Sequence, residues 1–251
     1  MIKNSFIFLD KVGKNTEEKI WKSGIHHWDD FIEHDVIPGI GIKRKPYYDR
    51  QIRHAARALH EYDSMHFHGL IPNTEMWRLY NHFKDDAIYL DIETTGYHGD
   101  ITVLGMYDGN QTMMFIRNRN LDKHLVKKAL ENYKIILTFN GSSFDLPVIK
   151  KYFGDIVPKI PHIDLRHVCS KVGLTGGLKM IEKQLKIKRA DEVADVTGED
   201  AVYLWRKYRA TGDEKYLDLL CKYNEEDIIN LEPLAKLVIE QLKSQTMRSF
   251  K

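Results

Sequence analysis

A chain of 251 residues with 43% hydrophobic content can bury one full α/β core and leave a small appendage over. Its 38 Lys and Arg against 36 Asp and Glu give a net charge of +2, so overall charge neither demands nor excludes a polyanionic partner. The two cysteines, Cys169 and Cys221, stand in no CxxC or zinc-ligand spacing, which argues against a disulfide scaffold or structural zinc and for a reducing, cytoplasmic setting.

In chain order, the apolar run at residues 6–9 is too short for a signal-peptide core, and no window approaches the roughly 20 apolar residues of a membrane span. Residues 1–35 read as a helical unit of their own. A first short helix is expected to end near Val12 and Gly13, and a second to cover 16–23, with Thr16, Glu17 and Glu18 suited to its start and Gly24 to its stop. The segment "FLDKVGKNTEEKIWKSGIHHWDDF" resembles a helix-hairpin-helix motif, whose hairpin offers backbone N–H groups to a phosphate. The hairpin would be Val12, Gly13, Lys14 and Asn15, which makes Gly13 and Lys14 candidate substrate contacts. Ile20, Trp21, Ile25 and Trp28 equally suit a small packed cap.

Residues 36–84 read as a basic helical linker. Lys43, Arg44, Lys45, Arg50, Arg53 and Arg57 stand against the single acid Asp49 and interleave with Tyr47 and Tyr48, a pattern that suits phosphate contact with base stacking or the solvated face of a helix over 49–62. A short helical stretch over 74–83 leads into the main domain, expected at 85–242 and followed by a tail at 243–251.

There the pattern becomes strand-like. "AIYLDIE", "ITVLGMYD" and "QTMMFIR" are predicted strands, with Asp108 and Gly109 turning the second into the third. A helix over 121–132, a buried strand "KIILTF", a helix over 143–152 and a short strand "HID" follow. The rest, to residue 242, is mostly helical with loops near 174–177 and 188–198. The fold class is α/β, a mixed β-sheet flanked by helices with a small N-terminal helical appendage.

Alternation in the first strand puts Ala87, Tyr89, Asp91 and Glu93 on one face, with Ile88, Leu90 and Ile92 on the other. Two carboxylates on one side of a strand end repel unless a cation or solvent intervenes, and hard divalent ions favour such oxygen ligands. A solvated strand end gives the same pattern. Asp145 follows the buried strand in "TFNGSSFDLPVI", where Gly141 permits a tight turn; Ser142 and Asp145 also have the form of a capping box, and Asn140 that of a turn residue. In "YNEEDIINL", Tyr223 and Asp227 stand at i and i+4 on one helical face, beside the apolar stripe Ile228, Leu231, Leu234 and Val238.

In this order the three segments resemble the motifs of the DEDD (DnaQ-like) exonuclease superfamily: "LDIETTG" the first, "FNGSSFD" the second and "YNEED" the third in its tyrosine form. The resemblance covers residues 86–240, and "HIDLRHV" with "GGLKMIEKQL" is similar to a stand-alone RNase H-like family within it. It implies an RNase H-like fold and a 3′–5′ exonuclease that releases nucleoside 5′-monophosphates from single-stranded DNA or RNA ends. It also implies two divalent ions, Mg²⁺ or Mn²⁺, held by Asp91, Glu93, Asp145 and Asp227, with Tyr223 orienting the attacking water. Thr94 and Asn140 would contact the terminal nucleotide. An RNase H-like endonuclease and a non-catalytic nucleic-acid-binding module are the alternatives. Asp164 is open between a supporting role at the site and a helix cap, and the twelve histidines show no zinc-enzyme spacing.

Overall fold

The computed structural model describes residues 1–96 and 99–248. The chain opens with a 3₁₀ turn, Ile2–Asn4, and runs irregularly to Gly13. Three helices follow: α1 (Lys14–Lys22), α2 (Trp28–Glu33) and α3 (Lys45–His60). A 3₁₀ segment, Asn73–Leu79, then leads into the short α4 (Tyr80–Phe83).

The helix expected to end near Val12 does not form, so no α-helix precedes the hairpin expected at Val12, Gly13, Lys14 and Asn15. Phe6, Ile7, Phe8 and Leu9 are all buried, whereas a helix would turn part of such a run toward solvent. The irregular chain buries all four and finds other hydrogen-bond partners: Glu17 Oε1 accepts the Phe6 N–H at 2.7 Å and the Ile7 N–H at 3.2 Å. Gly13 instead caps α1, which begins at Lys14 rather than Thr16. Gly24, at φ +89°, ends that helical stretch as expected. Likewise α3 begins at Lys45 rather than near Asp49, because Pro46 fits a first helical turn that needs no N–H donor.

The sheet follows: β1 (Ala87–Thr94), β2 (Ile101–Tyr107) and β3 (Thr112–Ile116), then α5 (Lys123–Leu130), β4 (Ile135–Thr138), α6 (Asp145–Phe153) and β5 (His162–Asp164). The strand order is β3-β2-β1-β4-β5. The first three strands are an antiparallel meander, turned between β2 and β3 by Asp108, whose carboxylate accepts the N–H groups of Asn110 and Gln111, each at 2.8 Å. β4 and β5 join parallel to β1 and to each other, and the helices α5 and α6 supply the crossovers that parallel pairing requires. The chain ends with α7 (Leu165–Lys171), α8 (Leu178–Leu185), α9 (Gly198–Thr211) and the long α10 (Glu214–Arg248). No helix of the described residues is long and apolar enough to cross a membrane.

Alternation along β1 sorts its side chains between two cores. Ile88, Leu90 and Ile92 pack with Val126 and Leu130 of α5 and Ile149 and Phe153 of α6. Ala87 and Tyr89 face the other way, into a core shared with Leu231 and Leu234 of α10 and with Phe6, Trp28, Ile52 and Phe83 of the N-terminal segments. The N-terminal helices therefore cover part of the same sheet face as α10. Further along that face Val103 of β2 packs with Leu220 and Tyr223 of α10 and with Trp205 of α9. Asp91 and Glu93 emerge between these groups, under α10.

Candidate metal and nuclease site

Asp91, Glu93 and Asp227 converge: one carboxylate oxygen from each lies within 4.8 Å of the others. Asp91 and Glu93 come from β1, where a register shift between Glu93 and Thr94 ends the regular ladder, and Asp227 comes from the middle of α10. Tyr223, one helical turn before Asp227, is 8% exposed and sits with the same cluster. Lys179 of α8 holds its amine 5.0 Å from the Tyr223 ring centroid.

α10 reaches the strand this closely because Gly105 stands opposite Asp91 in β2. A Cβ there would lie 2.0 Å from Asn224 Oδ1. Without it, Asn224 Nδ2 donates to Asp91 Oδ2 at 2.7 Å and fixes that carboxylate. On the far side of the cluster, Arg189 donates through Nη2 to Asp227 and holds the buried Glu182 of α8 with Nε at 2.5 Å and Nη2 at 2.9 Å. Gly105, Asn224, Lys179, Glu182 and Arg189 were not picked out by sequence patterning as site residues. Asn224 lies inside the "YNEED" motif and Lys179 and Glu182 inside "GGLKMIEKQL", so those three carried a signal; Arg189 sits in a loop and carried none.

Asp145 lies outside the group of three but next to it in charge. It is 2% exposed, at the first position of α6, and its Oδ1 accepts the backbone N–H of Ile92 at 3.0 Å. The capping box that Ser142 and Asp145 suggested does not form, because Ser142 turns instead to Asp164. Of the two readings open for Asp164, the structure shows the helix cap. It caps α7 through the Arg166 N–H at 3.1 Å and accepts the N–H groups of Asn140 at 2.8 Å and Ser142 at 3.1 Å, so it shapes the turn before Asp145. Gly141 is required in that turn, since a Cβ would come within 2.2 Å of Thr138 Oγ1.

Crowding marks the electrostatics. Burial, followed by the charges of Asp145, Asp227 and Glu93, holds the Asp91 carboxyl well above the usual carboxylate range. Burial, then Asp227 and Asp145, does the same to Glu93. Burial pushes Asp145 up to about 7 against the pull of its backbone hydrogen bonds. Asp227 is raised by burial, although Arg189 opposes the shift. Burial and the neighbouring Asp227, Glu93 and Asp91 push the Tyr223 phenol far above its ordinary value, so it remains protonated and can donate a hydrogen bond. A set of crowded, buried, oxygen-only donors whose charged forms are disfavoured by burial and by one another fits a hard divalent ion such as Mg²⁺ or Mn²⁺.

Two cavities share Phe144 as a wall, and one of them reaches Glu93 of the cluster. One, of about 550 Å³, is lined by Glu93, Thr94 and Gly96 and by Gly198, Val202 and Arg206 of α9. The other, of about 400 Å³, is lined by Asn140, Pro147 and Arg166. Thr94 thus borders space next to Glu93, and Asn140 borders the second cavity across Phe144. The Thr94 hydroxyl donates to Gly96 O at 2.8 Å, while Asn140, at φ +69°, accepts from Arg166 at 2.8 Å. Gly13 and Lys14 line neither cavity: the Lys14 amine pairs with Glu75 at 2.9 Å, in a cleft of about 270 Å³ with Trp21, Arg78 and Lys171. Two residues of the basic linker, Lys45 and Tyr48, are also committed elsewhere. Lys45 is buried against Asp49 at 2.8 Å, and Tyr48 donates to Asp10 O at 2.8 Å.

Residues 88–239 match the family model of the RNase H superfamily, and the chain belongs to that superfamily. Among solved structures it is similar to Escherichia coli RNase D, an exoribonuclease involved in structured RNA processing, at 17% identity and a TM-score of 0.44. That similarity covers 71% of this chain and 48% of RNase D. No curated protein matches the sequence.

Proposed function

We propose that this protein is a metal-dependent 3′–5′ exonuclease that hydrolyses phosphodiester bonds at single-stranded DNA or RNA ends and releases nucleoside 5′-monophosphates. The convergence of Asp91, Glu93 and Asp227 within 4.8 Å, one helical turn from Tyr223, carries this reading. In such a site Asp91, Glu93 and Asp227, with Asp145 behind them, would hold the divalent ions. Bound there, Mg²⁺ or Mn²⁺ supplies an activated water and charge neutralisation for an in-line displacement at phosphorus.

The chain's own groups do the rest. Asn224 fixes Asp91, and the protonated Tyr223 hydroxyl orients the attacking water without removing its proton. As the water oxygen bonds to phosphorus it gives up one proton to solvent, the bond from phosphorus to O3′ breaks, and the leaving O3′ takes up one proton from solvent. Thr94 and Asn140 border the two cavities, which suit the last nucleotides of a single strand. The test is cleavage of 5′-labelled oligonucleotides by wild type and by Asp91→Asn: a divalent-dependent ladder shortening from the 3′ end, absent in the variant, is expected. Internal cuts would favour an endonuclease, and binding without cleavage a non-catalytic module.

A further inference from the structure

Resting on that nuclease reading, we infer that the outer face of α9 holds a single strand on its way to the carboxylates, with Arg206 taking a phosphate oxygen and Tyr203 stacking an unpaired base. Through Ala201, Leu204 and Trp205, α9 packs against Val103 of β2 and Leu220 of α10. That packing leaves another side of the helix facing outward. Val202 and Arg206, one turn apart, line the cavity that reaches Glu93. Arg206 is exposed and makes no hydrogen bond or ion pair among the described residues, so all five of its donors are unspent on the wall of that cavity.

The same side of α9 carries the recognition away from the cavity. Tyr203, three residues before Arg206 and so beside it on the helix surface, is 54% exposed. Lys207 holds its amine 5.4 Å from the Tyr203 ring centroid, and the exposed Arg209 lies three residues beyond Arg206. Acid on this helix is confined to Glu199 and Asp200 of the first turn, and Asp200 is spent on the Thr197 cap; residues 201–212 contain none. The helix dipole accounts for a cation such as Arg209 in the last turn, but not for Arg206 and Tyr203 further back. Unpaired cations with an exposed ring among them, beginning in a cavity that ends at a carboxylate cluster, complement a single strand. Phosphates accept charge-assisted bonds from the cations, and an unpaired base offers its face to the ring. In a duplex those faces are already stacked on neighbouring bases, so the substrate class is a nucleic acid whose 3′ end is unpaired.

The experiment measures binding in Ca²⁺, to hold cleavage back, for wild type, Tyr203→Ala, Tyr203→Phe and Arg206→Ala. The probes are short oligothymidylate and oligouridylate, a blunt duplex and thymidine 5′-monophosphate, over a range of KCl. Tyr203→Ala and Arg206→Ala are each expected to weaken the single strands about tenfold and Tyr203→Phe less than about threefold, with melting temperatures close to wild type. The slope of log affinity against log salt should flatten by about 0.7 in Arg206→Ala and remain unchanged in Tyr203→Ala. Tyr203→Ala should bind the monophosphate as wild type does, and the duplex should bind wild type more weakly than either single strand. Single-strand affinity within about threefold of wild type in either alanine variant, an equal loss in Tyr203→Phe, or a duplex bound as tightly as the single strands overturns the inference. Cleavage by the same proteins in Mn²⁺ separates the two readings. A wild type that binds through α9 but cleaves nothing leaves this face standing and the nuclease reading fallen, and a 3′ ladder unchanged in both alanine variants at limiting substrate does the reverse. If wild type neither binds nor cleaves, both fall.

Discussion

Asp145 couples the site to pH most directly. Its carboxyl titrates at about 7 in the folded chain and at an ordinary value of 3.8 when freed. A group with a raised folded value contributes stability that is complete below the lower of these and lost as pH rises through the upper. The melting temperature in EDTA is therefore expected to fall between pH 3.8 and 7, and saturating Mn²⁺ should remove that fall. Scanning calorimetry at stepped pH, with and without the ion, makes the check; an identical pH profile in both would show that no ion relieves the crowding. Tyr223→Phe keeps the buried ring and loses only the hydroxyl. Its kcat is expected to drop by about a hundredfold at unchanged KM, with urea unfolding unaltered.

At the scale of the element, the approach of α10 to β1 depends on Gly105. Gly105→Ala would force a Cβ to 2.0 Å from Asn224 Oδ1, so α10 must lift or Asn224 must turn away from Asp91. A loss of about 1–3 kcal/mol in urea unfolding is expected, from overpacking of a filled interface. A disproportionate fall in cleavage should accompany it. Asn224→Ala in the same assays isolates the second contribution, because it removes the contact without lifting the helix.

Much of this arrangement could be read from the chain before folding. The period-two alternation of "AIYLDIE" places Asp91 and Glu93 together, and the i to i+4 spacing places Tyr223 beside Asp227. The distance between those two segments could not be read, since nothing local in "ITVLGMYD" says that its glycine faces a helix more than a hundred residues away. Arg189 was invisible for the same reason: its partners Glu182 and Asp227 meet it only through the packing of α8 on α10. The irregular run through Phe6 to Leu9 was misread as helical because its burial on all sides is tertiary, and local sequence carries no sign of it.

Across the whole molecule, a buried ionic network ties the N-terminal segments to the region beside β5. Arg78 Nη1 pairs with Glu17 at 2.9 Å, and Arg78 Nε with Glu75 at 2.9 Å; Glu75 also takes Lys171 at 2.7 Å and Lys14 at 2.9 Å. Burial alone would raise the Glu75 carboxyl, but Arg78, Lys171 and Lys14 outweigh it and bring it down to about 2 from an ordinary 4.5. Its contribution is therefore full above pH 4.5 and lost as pH falls toward 2. Arg78→Met leaves Glu17 buried without its cation and is expected to cost about 3–5 kcal/mol in chemical unfolding. A cost under about 1 kcal/mol would mean that the network does not hold the N-terminal segments in place.

The measurement that bears most directly on the proposed activity is a gel assay on 5′-labelled single-stranded DNA and RNA, in Mg²⁺, Mn²⁺ or EDTA, with wild type and Asp227→Asn run side by side. A ladder that shortens from the 3′ end, requires the divalent ion and disappears in the variant is the expected result. Intact substrate under every condition, or equal cleavage by Asp227→Asn, would contradict the assignment of these carboxylates to a nuclease site.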